Sequence, residues 1–460
     1  MSKPSTSGMK ATFTQGSTMR HVVIMTTTSA IGLMAIFFVD AITLFYISQL
    51  NDTAQTAAVG RASYVLSFVM GLSIGFMIGA SAMVARTIGA GDEEKSRSYA
   101  GTSLISAFAF GVIVAIIGYL MTDWLMSLLK AEGPALDYAR QYLYIVLPSM
   151  PFLSVGMVTM GLLRSKGDAK RSMYLPLVGG ALTAALDPIF IFVFGWEVIG
   201  AATVSSIMRV TFAGLGLYFV IGTHNMVALP TRERFVRDLH NILKIALPTV
   251  ATNLAAPVGA FLIAQAIANY GDAAIAGQSV VDRLIPLTFG VIFSLSGAIG
   301  PIIGQNFGAN LMTRVRSTLL DGIVFNLVYV TLAWSALYFA QDYIVSTYNA
   351  TGEMERVIRL FCTIMAGSFF FNGFLFISNA AFNNLGRPLY ATLFNWLRQT
   401  VGVIPFVYFG AQWGGLDGIF WGVAAGSVVF GVVPVIAALA LIKKLTVQND
   451  QGIEAVPIAS

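Results

Sequence analysis

Long apolar stretches separated by short polar ones recur along all 460 residues. Each stretch reaches 18 residues or more, enough to cross a hydrocarbon core of about 30 Å as a helix. Twelve spans are predicted, near 22–48, 57–83, 99–122, 138–163, 173–194, 199–222, 242–269, 274–302, 318–338, 356–381, 388–410 and 416–442. The runs are continuous and do not alternate over segments of about 10 residues, which excludes a β-barrel. The pattern predicts an all-α polytopic membrane protein with twelve transmembrane helices.

The polar gaps set the orientation. With a cytoplasmic N-terminus, 19 of the 27 Lys and Arg fall inside, and only Lys130, Arg140, Arg356 and Arg359 fall outside. Arg61, Arg209, Arg283 and Arg398 lie within spans. This bias follows the positive-inside rule and puts both termini in the cytoplasm. Residues 1–20 read as a disordered cytoplasmic N-terminus, too polar to pack and followed by too long an apolar run for a signal peptide. Residues 446–460 read as a cytoplasmic tail.

The chain repeats itself. "AAVGRASYVLSFVMGLSIGFMIGASAMVARTIGAG" (57–91) resembles "AIAGQSVVDRLIPLTFGVIFSLSGAIGPIIGQNFGAN" (274–310), and 161–178 resembles 380–397. The shift is 217 residues at Gly60 and Gly277, and 219 at Gly167 and Gly386. Six spans plus six, both sets starting inside, predict two six-helix bundles related by a pseudo-two-fold axis along the membrane normal. The expected division is an N-lobe over 21–222, a linker over 223–241 and a C-lobe over 242–445.

Composition adds the chemistry. Only 11% of residues are charged against 56% hydrophobic, far from the quarter or so charged in a soluble domain. The net charge of +5 belongs to the basic loops and does not imply nucleic acid as a partner. One cysteine, Cys362, excludes a disulfide framework and a multi-cysteine metal site. No metal and no cofactor is expected. "GLSIG" (71–75) matches a serine-nucleophile pattern, but inside a span and without a central histidine, so an enzyme is not expected. "NDT" (51–53) and "NAT" (349–351) are glycosylation sequons on outer loops.

Against this background, three carboxylates lie deep in spans: Asp40, Asp187 and Asp282. Each costs about 2.5–3.5 kcal/mol at a span centre. Asp282 and the adjacent Arg283 read as a structural ion-pair position, each paired to a neighbouring helix, since adjacent helical residues do not face each other. Asp40 and Asp187 lie far in sequence from Arg283 and Arg398. In "LTAALDPIFIFVFG", Pro188 has no N–H for the carbonyl of Ala184, and Thr183 sits one turn before Asp187. Asp187, Thr183 and Ala184 thus offer a carboxylate, a hydroxyl and a bare carbonyl in one patch. The alternative is a proline kink with a satisfied aspartate.

These residues resemble the multidrug and toxic compound extrusion (MATE) transporters over roughly 20–445. The likeness rests on the duplicated twelve spans, Asp40 in span one, "LRSKGDAKRSM" after span four and "LDPIFIF" in span five, and it is nearest the DinF-like branch. It implies a bacterial inner-membrane antiporter that exports lipophilic or cationic small molecules by alternating access. It also implies coupling residues at Asp40 and Asp187, supported by Thr183 and Ala184. Phe37, Phe38, Met157 and Met160 are candidate walls of the substrate cavity. Membrane lipid is the other expected partner, and the protein is expected as a monomer.

The chain departs from that branch. The span-five Asn falls on Thr183, span-four Asn positions on Met157 and Met160, and the span-one proline on Met25. With so few oxygens left, H+ is expected as the coupling ion over Na+. Asp40 and Asp187, if they converge, titrate as a coupled pair. A lipid-linked oligosaccharide flippase of the same superfamily is the rival reading; it would need cavity cations, for which Arg61 and Arg209 are the first-half candidates.

Overall fold

The computed structural model describes residues 9–50, 52–129 and 131–451, without the side chain of Asp40. The described residues form helices and connecting turns, with no strand among them. The order is α1 (Thr18–Ser48), α2 (Thr53–Gly89), α3 (Glu93–Leu120), α4 (Thr122–Leu128), α5 (Gly133–Val146), α6 (Met150–Lys166), α7 (Ala169–Pro188) and α8 (Glu197–Leu217). It continues with α9 (Arg232–Ala268), α10 (Asp272–Gly308), α11 (Met312–Thr347), α12 (Gly352–Thr363), α13 (Phe369–Asn384), α14 (Pro388–Thr400) and α15 (Ile404–Asp450).

Three spans are interrupted, the one expected at 388–410 by residues 401–403 between α14 and α15. A 3₁₀ turn at Leu147–Ser149 joins α5 to α6, and one at Met365–Ser368 joins α12 to α13. α15 is a helical hairpin that reverses at Gly415, whose φ of 59° lies in the left-handed region open to glycine. Gly410 packs on Gly418 and Gly426 on Gly402, so its two arms run antiparallel with their backbones nearly touching. Counting both arms, the apolar helices supply the twelve expected spans.

The repeat is sharper in structure than in sequence. α2 and α10 start at 53 and 272, α3 and α11 at 93 and 312, α5 and α12 at 133 and 352, α7 and α14 at 169 and 388. The shift is a constant 219. The shift of 217 read from Gly60 and Gly277 is therefore two residues out of register. Turn chemistry repeats as well: left-handed residues occur at Gly91 and Asn310, Gly133 and Gly352, Gly167 and Gly386.

The chain forms two compact units, with boundaries that differ from the expected ones. One holds residues up to Thr12 and Ile31–Val250; the other holds Phe13–Ala30 and everything from Ala251. α1 and α9 each contribute one part to either unit. The expected 223–241 linker is largely absorbed. Ala228 N–H donates to the Arg97 carbonyl, and α9 already begins at Arg232. Asp238 is buried and accepts from Ser98 Oγ at 2.6 Å; Asn241 donates to Tyr99 Oη.

Residues 9–20, expected to be disordered, hold defined positions. Phe13 is 2% exposed; its N–H donates to Gln305 Oε1 at 2.8 Å, and its carbonyl accepts from Asn306 and Arg314. Thr18 Oγ1 donates to Asp321. Residues 1–8 and 452–460 lie outside the described residues.

Asp168 ties two elements of the first unit together at a helix end. It caps α7 by accepting from Arg171 N–H, and its carboxylate also takes the Arg171 guanidinium at 2.5 Å and His224 Nε2 at 2.8 Å. Partial burial opposes its charge, but the hydrogen bonds from Arg171 and His224 outweigh that and hold it below the usual carboxylate range. Such a group stabilises the fold above its unfolded pKa, and the contribution is lost as pH falls through the lower folded value. Asp168→Ala should cost about 1–2 kcal/mol from the lost cap. Thermal midpoints in detergent should show a constant gap to wild type from neutrality to about pH 5, closing below about pH 4.

Candidate functional site

The site grows out of α7 and the C-terminal part of α1, both within the first unit. Glycines bring the two helices together. A Cβ on Gly32 would stand 3.0 Å from Pro176 Cγ, and one on Gly180 would stand 3.3 Å from Val39 Cγ2. α7 ends at Pro188, and the chain continues as a widened π-helical turn over Ile189–Val193. Such turns absorb the donor that a proline lacks and recur at functional sites.

Asp187 sits one residue before that break. It is 0% exposed. Its Oδ2 accepts from Thr43 Oγ1 of α1 at 2.6 Å, while its Oδ1 has no hydrogen-bond partner among the described residues. A buried polar atom left so is rare and invites a functional explanation. Thr183, expected to support the carboxylate, is buried but turns its hydroxyl to the Gly179 carbonyl at 3.1 Å. This is the common back-bond of a helical threonine. Ala184, in the same helix, is partly buried. The side chain of Asp40 lies outside the described residues; its backbone belongs to α1.

Next to this pair is a cavity of about 80 Å³. Among the described residues its wall includes Thr43, Ser63, Ser67, Tyr142, Met157 and Arg209, and does not include Asp187. Thr43, 5% exposed, therefore stands between the cavity and the carboxylate. Arg209 is 8% exposed and approaches Ser149 Oγ at 3.5 Å. The volume is well under the roughly 300–1,000 Å³ of a drug pocket, yet several times the roughly 10–15 Å³ that one water needs. In this conformation the cavity suits a few waters.

The four candidate wall residues separate. Met157 lines the cavity. Met160 is buried away from it, with its sulfur 3.4 Å from Arg164 Nη2. Phe37 and Phe38 are exposed, Phe38 at 64%, and do not line this cavity. The expected ion pairing of Asp282 and Arg283 is not formed among the described residues. Asp282 is exposed and accepts from Gln278 Nε2, one turn away on α10, at 2.8 Å; Arg283 points off at a different angle and is exposed too. Arg398 meets Ser427 Oγ at 3.5 Å.

Thr43 and Tyr142 escaped the reading of the residues. Hydroxyls inside apolar runs look ordinary, and the one available signal was that Thr43 follows Asp40 by three residues in the same helix.

With this geometry in hand, the relatives are informative. The MatE family model matches the chain twice, over 28–189 and 248–409. The multidrug export protein MepA of Staphylococcus aureus (strain NCTC 8325 / PS 47) is 25% identical over 430 residues, 92% of this chain and 94% of that protein. A crystal structure of a MATE mutant has a TM-score of 0.88 at 22% identity, covering 96% of this chain and 99% of that one. The outward-facing conformation of a multidrug resistance MATE family transporter of the MOP superfamily has a TM-score of 0.87 at 23% identity, with the same coverage. At such identities the solved structures speak for the fold.

Overpacking the seam of α1 and α7 tests whether the cavity matters. Gly180→Leu should cost about 1–3 kcal/mol of stability. Its cellular transport phenotype should be lost while the protein still inserts and purifies as a folded species. Full retention of that phenotype would remove the cavity from the functional picture.

Proposed function

The chain belongs to the MatE family, and from that premise we propose that it exports lipophilic, often cationic, small molecules in exchange for protons by alternating access. Membership of this transporter family makes it an integral membrane transporter, not an enzyme. The observation that carries the finer reading is Asp187: a fully buried carboxyl in an apolar span, with one oxygen unpartnered among the described residues, one hydroxyl away from a hydratable cavity.

The cycle follows from differential affinity. In the inward-open state the deprotonated carboxylates, Asp40 and Asp187, favour a cationic guest. After the bundles rock outward, protons from the acidic outside neutralise them and the guest leaves. The protonated carrier returns and releases its protons inside. Protons fit this site better than sodium. Thr183 spends its hydroxyl on Gly179, so Asp187 is the one described carboxylate at the site, with Thr43 as its hydrogen-bond partner; the other described side-chain oxygens around the cavity are neutral hydroxyls. We place both termini in the cytoplasm on the basis of the loop charges, and the protein in a bacterial inner membrane on its likeness to the staphylococcal export protein.

Arg209 favours a second reading. A guanidinium on the cavity wall suits an anionic headgroup, as a flippase for lipid-linked oligosaccharides would need.

The test is uptake of a fluorescent lipophilic cation into proteoliposomes, with pH and sodium gradients imposed separately. The pH gradient alone should drive uptake, and both Asp40→Asn and Asp187→Asn should reduce it to the level of empty liposomes. Uptake driven only by sodium would overturn the proton reading. No uptake under either gradient, with folded protein, would favour the flippase.

A further inference from the structure

We propose that Thr43 is the proton relay of this transporter, passing protons between cavity water and the buried Asp187 carboxyl. The inference rests on proton coupling through Asp187 and adds the route by which the proton arrives. Asp187 is 0% exposed and does not line the cavity. Thr43 does line it, and donates its hydroxyl proton to Asp187 Oδ2 at 2.6 Å. Among the described residues, no other side chain hydrogen-bonds to that carboxylate. Thr183, the nearer hydroxyl in sequence, is turned to the Gly179 carbonyl. Among the described side chains, a proton reaching Asp187 from the cavity therefore meets the Thr43 oxygen first.

The transfer balances. A hydronium ion in the cavity gives a proton to Thr43 Oγ1 as the Oγ1–H proton moves to Asp187 Oδ2. One O–H bond forms on the carboxyl, one breaks on the water, and the threonine ends neutral with its hydroxyl intact. Release runs the same steps backward. A neutral Asp187 no longer presents Oδ2 as an ionic acceptor, so the tie from α7 to α1 weakens on protonation. α1 is helical from Thr18 to Ser48. The hydroxyl thus links the charge on the carboxyl directly to α1. The other titratable or charged groups facing the cavity are Tyr142 of α5 and Arg209 of α8. α2 and α6 contribute hydroxyl, thioether and aliphatic groups; the side chain of Asp40 on α1 is outside the described residues.

Three variants separate a relay from a packing role, because the two roles rank them in opposite orders. Thr43→Ser keeps the hydroxyl. Thr43→Ala leaves room for a water to take its place. Thr43→Val fills the space with a methyl and blocks the path. The readout is time-resolved infrared absorption of the protonated carboxyl after a jump to acidic pH, on purified full-length protein, with Asp187→Asn identifying the band. We expect Val to slow protonation by about tenfold or more, with Ser and Ala close to wild type and slowed further in D2O. Equal rates in wild type and Val, or Ala slowest with Val nearly normal, would overturn the relay and leave proton coupling intact. If wild type shows no Asp187 band at any pH, proton coupling through Asp187 itself fails. Thermal midpoints of each variant establish that the compared species are folded.

Discussion

A carboxyl inside a membrane span has no water to turn to, so whatever satisfies it must come from the protein. Asp187 costs about 2.5–3.5 kcal/mol at such a depth. A hydrogen bond between spans returns about 0.6 kcal/mol on average and at most about 1.7. The bond from Thr43 cannot cover that cost, and the second carboxyl oxygen has no described partner at all. Asp187 is a net burden on stability, which the surrounding helices carry. That imbalance is the physical reason to read it as functional.

The rest of the first unit is arranged to tolerate this. Hydrophobic burial does little to drive helices together in lipid, so close packing and interhelical hydrogen bonds must serve. Gly32 and Gly180 let α1 lie against α7 near the aspartate. Ser73 meets Ser154, and Ser81 meets Ser165, along the seam of α2 and α6. Gly161 leaves room for Met77 in the same seam. In the second unit, glycines at 410 and 418 and at 402 and 426 close the α15 hairpin by the same device. The duplicated turns, at a constant shift of 219, keep the element order of both units alike. Only the first holds the aspartate beside a proline break, so the repeat preserved the scaffold while the site stayed on one side.

Much of this was legible from the residues. Length and hydropathy of each run determined the spans, because crossing a hydrocarbon core demands about 20 apolar residues whatever the partners are. The loops' turn residues determined the repeat, since a left-handed turn needs glycine or asparagine wherever it falls. The cost of a charge in lipid picked out Asp187, together with Asp40 and Asp282, without any coordinates. Faces were different. A span that is apolar all round carries no periodic contrast, so nothing in the sequence says which side meets protein and which meets lipid. Hence Met157 lines the small cavity beside Asp187 while Phe37 and Phe38 are exposed and Met160 is buried elsewhere. Asp282 likewise found Gln278 on its own helix in place of the expected arginine partner. The division of α1 and α9 between the two units, the anchoring of Phe13 and the placement of Thr43 between water and carboxyl all depend on residues distant in the chain. Such contacts exist only once helices have packed, and only the tertiary structure could decide them.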